Sequence, residues 1–415
     1  MIFTKRMSLE DKRFYSHVFR LVMPMAVQNL INVGVTSTDV IMLGKVGETA
    51  LSGVSLANQI YFILSLLYFG LTSGACVLTA QYWGKKDTRT IEKVMGMSFR
   101  ISILAGIVFA AAAFFFPYQL MRIFTADEAV IAAGVSYLKI VAFSYVLSAF
   151  TNVYLNIIRS IEQVVIATVV YGTSLAANIV LNAIFIFGLF GAPAMGAAGV
   201  IVVFYAVKIN HVVKIRFKDW FVKDKALSKD FFTYALPVLL NEIAWGAGMA
   251  AISAIVGHLG SSAVAAHSVA QVCRQLSMVI GFGISSATAI MIGKAIGEKK
   301  EELAREYGKK FVKIAIVCGI GGGLLILAIS PFVRSMLNLT PLAKSYLTAM
   351  MFIMSYYVVG QSINTTLIVG VFRAGGDTRF GLILDVGVMW LCSILGAAVG
   401  AFVIGIPMPW VYILL

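Results

Sequence analysis

The sequence predicts an all-α polytopic membrane protein with two parallel repeats of six helices each. Three observations support this prediction. Apolar runs of the length needed to cross a bilayer, about 20 residues, recur along all 415 residues. Charged residues make up only 13% of the chain, whereas soluble proteins carry about 25%. The second half of the sequence also repeats the first. The apolar runs are continuous rather than alternating, which excludes a transmembrane β-barrel.

Polar breaks divide the chain into eleven predicted spans in order. The sixth is short, because its apolar run ends near Lys208. A twelfth span should follow Gly405, and we expect it to be incomplete because only IPMPWVYILL remains. The predicted spans are 18–43, 51–80, 94–116, 131–158, 164–190, 195–213, 231–256, 264–292, 311–330, 344–371 and 380–404.

The basic residues predict the orientation of these spans. The net charge is +14, and 27 of the 33 Lys and Arg residues lie before the first span, after an even-numbered span, or in the span ends that adjoin these segments. Short loops rich in Lys and Arg remain in the cytoplasm. We therefore expect a multi-pass protein of the cytoplasmic (inner) membrane with a cytoplasmic N-terminus. The charge is a topology signal, not a nucleic-acid footprint, and the N-terminal segment shows no cleavable signal pattern.

An internal repeat divides the chain into two halves. Residues 24–86 align without a gap with residues 237–299, and eleven of the 63 positions are identical. Farther along, Arg159 aligns with Arg373. Each half has an even number of spans, so both enter the membrane in the same orientation. Such repeats place binding sites between or within two lobes, which favours a secondary transporter. The predicted segments are an N-terminal cytoplasmic segment (1–17), an N-lobe (18–213), a cytoplasmic linker (214–230) and a C-lobe (231–415).

Five motifs resemble one family, the multidrug and toxic compound extrusion (MATE) transporters, and its prokaryotic branch in particular. They are DVIMLGKVG, NIVLNAIF…MGAAG, LPVLLNEIAWGAG, FRAGGDTRF and LILDVGVMW, in this order on successive parts of the chain. The resemblance covers essentially the whole sequence. It implies twelve helices in two lobes, with the last helix truncated here. It also implies export of organic cations or amphipathic compounds, driven by inward movement of sodium ions or protons.

Three acids within predicted spans are the candidate sites for the coupling cation and the substrate: Asp39, Glu242 and Asp385. A charged Asp at the centre of a transmembrane helix raises the free energy of membrane insertion by about 2.5–3.5 kcal/mol. An acid within a span is therefore first considered as a functional residue. A buried carboxylate can be neutralised by a proton, a metal ion or an organic cation, which is what exchange requires. The alternative for Asp39 is a water-facing residue near a helix end, and for Asp385 a structural partner within its lobe. Glu242 is the leading candidate.

Polar neighbours of these acids are the candidate supporting residues. Amides in membrane helices also act as plain interhelical contacts, so both interpretations stay open. Arg274 could pair with Glu242 or Asp385. The supporting set comprises Asn32, Asn178, Asn182, Asn241, Trp245, Gln271 and Arg274.

The resemblance implies a cation site in the first lobe, made by the span-1 acid and an Asn-x-x-x-Asp pair in span 5. Here the second position of that pair is Asn182 rather than Asp. Asp39, Asn178 and Asn182 would form a possible sodium site. Because hard cations favour charged oxygen ligands, a single carboxylate favours Asp39 as a proton carrier instead.

We therefore predict a secondary antiporter that exchanges organic cations or amphipathic drugs for protons or sodium ions. No phosphate-binding Gly-rich loop with its lysine is present, and we expect no enzyme activity and no cofactor. The expected partners are small molecules and the lipid bilayer, with the protein a monomer. Two alternatives remain open, namely a lipid-linked saccharide flippase of the same superfamily and a non-transporting truncated remnant.

Overall fold

The computed structural model describes residues 9–46, 48–173, 216–221, 224–336 and 340–415. These residues form helices and connecting turns, with no β-strand among them. The α-helices are α1 (Leu9–Val46), α2 (Glu48–Gly84), α3 (Thr88–Phe115), α4 (Pro117–Arg122), α5 (Glu128–Ser160), α6 (Val164–Thr173), α7 (Lys225–His258), α8 (Ser261–Gly297), α9 (Glu301–Met336), α10 (Pro341–Gly375), α11 (Thr378–Ile404) and α12 (Met408–Leu414). A 3₁₀ turn, Phe217–Phe221, precedes α7.

Aspartate caps define where several helices begin. Asp87 accepts a hydrogen bond from the backbone N–H of Thr90 at the start of α3. Asp127, Asp224 and Asp377 cap α5, α7 and α11 in the same way. A side-chain oxygen at this position satisfies one of the four N–H groups that a helix start leaves unpaired. The polar breaks in the sequence therefore mark true helix boundaries.

Eight of the described helices are long and apolar enough to cross a membrane. They are α2, α3, α5 and α7–α11, and they match the predicted spans 2–4 and 7–11. The first predicted span lies on α1. Most of the fifth predicted span and all of the sixth lie outside the described residues. Large apolar side chains such as Phe143 and Leu391 are mostly exposed, as expected for helix faces that contact lipid.

Repeat-related helices join the two halves of the molecule. Helix α1 packs against α8, and the corresponding helix α7 packs against α2. The first contact buries Leu21 and Met25 against Ile284. The second buries Leu71 against Phe231. Each half therefore contributes the same pair of helices to the interface, as a pseudo-two-fold relation between parallel repeats requires.

One end of the interface is closed by two glycines that the repeat also relates. We define this end, which contains the connections 85–87, 161–163 and 298–300, as the basic end. Here Gly84 at the end of α2 lies against the backbone of Lys294, and Gly297 at the end of α8 lies against the backbone of Gln81. A side chain at either glycine would overlap the opposite helix, so α2 and α8 cross backbone to backbone.

Ion pairs between the halves surround this crossing. Lys310 of α9 contacts Asp11 of α1 at 2.6 Å. Lys294 contacts Glu162, which lies in the turn after α5, at 2.7 Å. Glu162 thereby joins the first half of the chain to the second at the basic end.

The Glu162 carboxylate also accepts hydrogen bonds from His17 and Trp83. Burial raises the pKa of Glu162, but the bonds from His17, Lys294 and Trp83 outweigh it and hold the pKa at about 2. The carboxylate therefore stays charged at neutral pH, with its donors in place.

Helices α10 and α11 are less regular than the sequence predicts. π-helical segments interrupt them at Thr366–Phe372, Val388–Ile394 and Gly400–Ile404. Such segments are rare and often occur at functional sites, because the extra residue rotates everything that follows around the helix. The first segment immediately precedes Arg373 and the second follows Asp385, so both flank the polar cluster described next.

Candidate cation site

Glu242 and Asn241 are buried on α7, with 8% and 4% of their surfaces exposed. Asn241 lies four residues and Glu242 five residues after Pro237, in the part of α7 that packs towards α2 and α11. A charged carboxylate in this position needs a counterion or several donors. The surrounding helices supply both.

Arg373, at the end of α10, is the counterion of Glu242. Its Nη2 atom donates to Glu242 Oε1 at 2.7 Å and to Asn241 Oδ1 at 3.0 Å. Its Nη1 atom donates to Ser73 Oγ of α2 at 2.9 Å. The guanidinium is 4% exposed, and its bonds reach helices of both halves. A buried pair with this many hydrogen bonds has the geometry needed to offset desolvation.

Asp385 of α11 completes the cluster without a counterion. Asn241 Nδ2 donates to its Oδ2 atom and Asn364 Nδ2 donates to its Oδ1 atom, each at 3.1 Å. No Lys, Arg or His of the described residues lies within ion-pair distance of it. Asp385 is half-buried and Asn364 is exposed, so the carboxylate is reachable from outside the protein core.

The cluster therefore contains two carboxylates and one guanidinium. Glu242 and Arg373 neutralise each other, and Asn241 connects that pair to Asp385 by accepting from Arg373 and donating to Asp385. One negative charge remains, at Asp385. A cation or proton that bound there would bring the cluster to neutrality. We call these residues, Glu242, Asn241, Arg373, Asp385 and Asn364, the acid cluster.

Arg274 does not join the acid cluster, so the expectation that it pairs with Glu242 or Asp385 is wrong. Its Nε atom donates to Gln271 Oε1 at 2.6 Å and its Nη1 atom to Gln361 Oε1 at 3.0 Å. Amides that surround a guanidinium satisfy its donors without neutralising its charge. Arg274 and Gln271 therefore form a separate polar group on α8, facing α10.

The other predicted site residues have different positions. Trp245 is half-buried on α7, three residues after Glu242. Asn32 and Asp39 belong to helix α1, but their side chains lie outside the described part of the structure. Asn178 and Asn182, and with them the possible sodium site, lie outside the described residues altogether. Within the described ranges, no group of three or more His, Cys, Asp or Glu side chains could hold a metal ion.

Sequence reasoning missed the partners of the two acids. Arg373 appeared only in a motif and as the repeat equivalent of Arg159, and Asn364 and Ser73 were not singled out. One available signal was that Arg373 follows an apolar span directly and lies in the same half as both acids. A buried arginine near two buried acids is an obvious pairing candidate.

A family model described as MatE matches residues 24–184 and 237–399, which together cover more than half of the chain. The chain belongs to the MatE family. The two matched segments of this MatE chain begin 213 positions apart, which is the offset of the sequence repeat. The resemblance noted from the motifs is thus confirmed.

Curated relatives of the MatE chain share about a quarter of its residues or fewer. The "Uncharacterized transporter YisQ" of Bacillus subtilis (strain 168) is 22% identical over 395 residues, covering 92% of this chain and 86% of the relative. The "Probable multidrug resistance protein NorM" of Agrobacterium fabrum (strain C58) is 25% identical over 336 residues, covering 75% of this chain and 70% of the relative.

Solved structures confirm the fold of the MatE chain. A crystal structure of MATE in the bent conformation superposes with a TM-score of 0.86 at 21% identity, covering 96% of this chain and 91% of the other. A MOP superfamily transporter from Pyrococcus furiosus, described as having a binding pocket of reverse polarity, superposes with a TM-score of 0.85, also at 21% identity and with the same coverage. The predicted all-α, twelve-helix plan of two repeats is therefore confirmed.

Proposed function

We propose that this MatE chain is a secondary active antiporter that exports organic cations or amphipathic drugs in exchange for protons or sodium ions. The single observation that carries the proposal is the uncompensated carboxylate of Asp385 in the acid cluster. Relatives named as multidrug resistance proteins support the choice of substrate class.

Asp385 is the residue we expect to exchange its ligand during transport. Its two amide donors hold it in place without neutralising it, so a bound cation gains the full attraction of the charge. Once an organic cation or a coupling ion has neutralised the carboxylate, the other ion is no longer attracted to it. Binding of one therefore weakens binding of the other, which is the competition that antiport needs.

Glu242 has a different role in this proposal, although the sequence favours it as the leading acid. Its ion pair with Arg373 occupies Glu242 Oε1 and keeps the guanidinium away from Asp385. Without Glu242, Arg373 would be free to pair with Asp385 and close the site to cations. Glu242 thus positions Arg373 and, through Asn241, orients Asp385.

We further propose that the basic end faces the cytoplasm and that the membrane is the bacterial inner membrane. The support is the 27 of 33 basic residues that belong to this side in the sequence, together with the positive-inside rule. Labelling of an introduced cysteine at Lys300 in intact cells tests this orientation. We expect a membrane-impermeant maleimide to label Lys300→Cys only after the cells are opened, and labelling in intact cells would reverse the assignment.

The test of transport is uptake or efflux of a fluorescent cation in vesicles under a proton gradient or a sodium gradient, applied separately. We expect Asp385→Asn to abolish gradient-driven transport. Asp377→Asn is the matched control, because Asp377 is an exposed helix cap outside the cluster and Asn caps helices equally well. Wild-type transport by Asp385→Asn would refute the role of this carboxylate.

The same assay includes the first-lobe acid. If Asp39 carries protons, Asp39→Asn should reduce transport under the proton gradient and leave binding of the fluorescent cation in place. A sodium gradient that drives transport when a proton gradient does not would favour the sodium site at Asp39, Asn178 and Asn182. The gradient that works thus identifies the coupling ion.

The flippase alternative depends on cationic residues that could meet a phosphate in the space between the two halves. Arg373 is neutralised by Glu242, so Arg159 is the cationic residue that favours the flippase. A lipid-flipping assay in proteoliposomes, run beside the cation assay, distinguishes the two functions. A purified, folded protein that performs neither reaction would support the non-transporting remnant.

A further inference from the structure

A cavity with several polar residues in a largely apolar lining lies between the two halves, next to Arg373. Helices α2 and α5 line it from the first half, and α8 and α10 from the second. The cavity volume is about 80 Å³. Its lining includes two repeat-related pairs, Ser73 with Ser286 and Arg159 with Arg373.

The two arginines of this cavity differ in their partners. Arg373 contacts Ser73, Asn241 and Glu242. For Arg159 of α5, no hydrogen bond or ion pair forms with the described residues, and its Nε atom is fully buried without a partner. A buried donor that finds no acceptor is rare and calls for an explanation.

The repeat explains why Arg159 has no partner among the described residues. The positions that correspond to Glu242 and Asn241 in the first half are Asn29 and Gln28. The carboxylate that neutralises Arg373 is therefore replaced by an amide. Gln28 is 3% exposed, and its Oε1 atom also lacks a hydrogen-bond donor. The first half has the arginine of the pair and an amide at the position of the acid.

We propose that this cavity binds an oxyanion, the carboxylate or phosphate group of an acidic molecule, with Arg159 as its cationic ligand. A guanidinium presents a planar fork of donors that matches two oxygens of such a group. Arg159 lies in the last turn of α5, beside the basic end, and no ion pair with a described residue compensates its charge. Ser286 and Asn156 line the same cavity and supply further polar groups. The cavity shares Arg373 with the acid cluster, but Glu242, Asn241 and Asp385 are not among the residues that line it.

The same chemistry could come from free phosphate or from the headgroup of an acidic lipid, and the experiment separates them. The full-length protein is purified in an uncharged maltoside detergent, and its thermal unfolding is followed with sodium phosphate and with sodium chloride of equal ionic strength. A second arm compares lipid vesicles of phosphatidylcholine alone with vesicles that also contain phosphatidylglycerol. If phosphate stabilises the protein, a free anion is sufficient for binding. If only phosphatidylglycerol stabilises it, the ligand is a lipid headgroup.

Three variants make the test specific. Arg159→Gln removes the charge from the cavity, and we expect the apparent affinity for the anion to fall by at least about tenfold, because hydrogen bonds to charged groups are the strong ones. Arg159→Lys keeps the charge without the fork and should bind with intermediate affinity, which also covers the case in which Arg159→Gln does not fold. Arg100→Gln is the matched control, because Arg100 is exposed on α3 outside the cavity.

The proposal predicts that wild type and Arg100→Gln respond alike and that the Arg159 variants do not. It is overturned if neither phosphate nor phosphatidylglycerol stabilises the wild type beyond the chloride and phosphatidylcholine controls. It is equally overturned if all variants respond to the same degree. Because binding is measured without a gradient, this result does not depend on whether the protein transports cations.

Discussion

Replacing Gly297 by alanine should weaken the contact that closes the basic end. A Cβ atom at this position would overlap the backbone carbonyl of Gln81 on α2, and a backbone carbonyl cannot rotate away as a flexible side chain can. Helices α2 and α8 must therefore separate. Extra atoms in a packed interface cost about 1–3 kcal/mol.

The gain in helix propensity from glycine to alanine does not offset this cost. The residue belongs to α8 whether the halves are closed or apart, so the propensity term is the same in both conformations and cancels. A change of about 1–3 kcal/mol shifts the ratio of closed to separated molecules by about 5–150-fold.

Pulsed electron resonance between two nitroxide labels measures this separation. The labels are placed at Lys85→Cys and Lys300→Cys, which lie beside the crossing on opposite halves, in a background without the four native cysteines. Gly321→Ala on α9 is the matched control, since its new Cβ meets no atom within 4 Å. We expect Gly297→Ala to add a population at longer distance and Gly321→Ala to match the wild type. Identical distances in all three proteins would refute the backbone contact.

Three further changes test the contacts of the described helices. Arg373→Gln should destabilise the protein by about 3–5 kcal/mol, because Glu242 is then left buried and unpaired. Thermal unfolding in detergent should show that the double variant Glu242→Gln/Arg373→Gln is more stable than Arg373→Gln alone. The reverse order would contradict the pairing. Glu162→Gln should lower the melting temperature at neutral pH. Because the pKa of Glu162 is lowered, this loss of stability is present above pH 4.5 and disappears as the pH falls towards about 2. A loss of stability that does not change with pH would show that the charge of Glu162 is irrelevant. Trp390→Phe removes the hydrogen bond from the indole to the backbone oxygen of Ala244 and should cost about 0.5–1.5 kcal/mol, whereas unchanged stability would place that indole in contact with water.

The amino-acid sequence by itself determined the membrane-spanning plan. Long apolar runs must form helices in lipid, because no other structure in a single segment satisfies its own backbone hydrogen bonds. The repeat then predicted which helices correspond, and the observed pairs α1 with α8 and α7 with α2 follow that correspondence. The candidate acids Glu242 and Asp385 were found for a similarly local reason, since a charge inside an apolar run is conspicuous.

Only the tertiary structure decided which groups meet. The partner of Glu242 lies 131 residues away in the chain and that of Asn241 lies 144 residues away. Such contacts depend on how each helix is rotated about its axis, and the π-helical segments of α10 and α11 change that rotation without a clear mark in the sequence. The sequence contained Arg159 and Arg373 as equivalent residues. Both line the same cavity, but the fold places the Glu242 carboxylate within hydrogen-bond distance of Arg373 and no described carboxylate within that distance of Arg159.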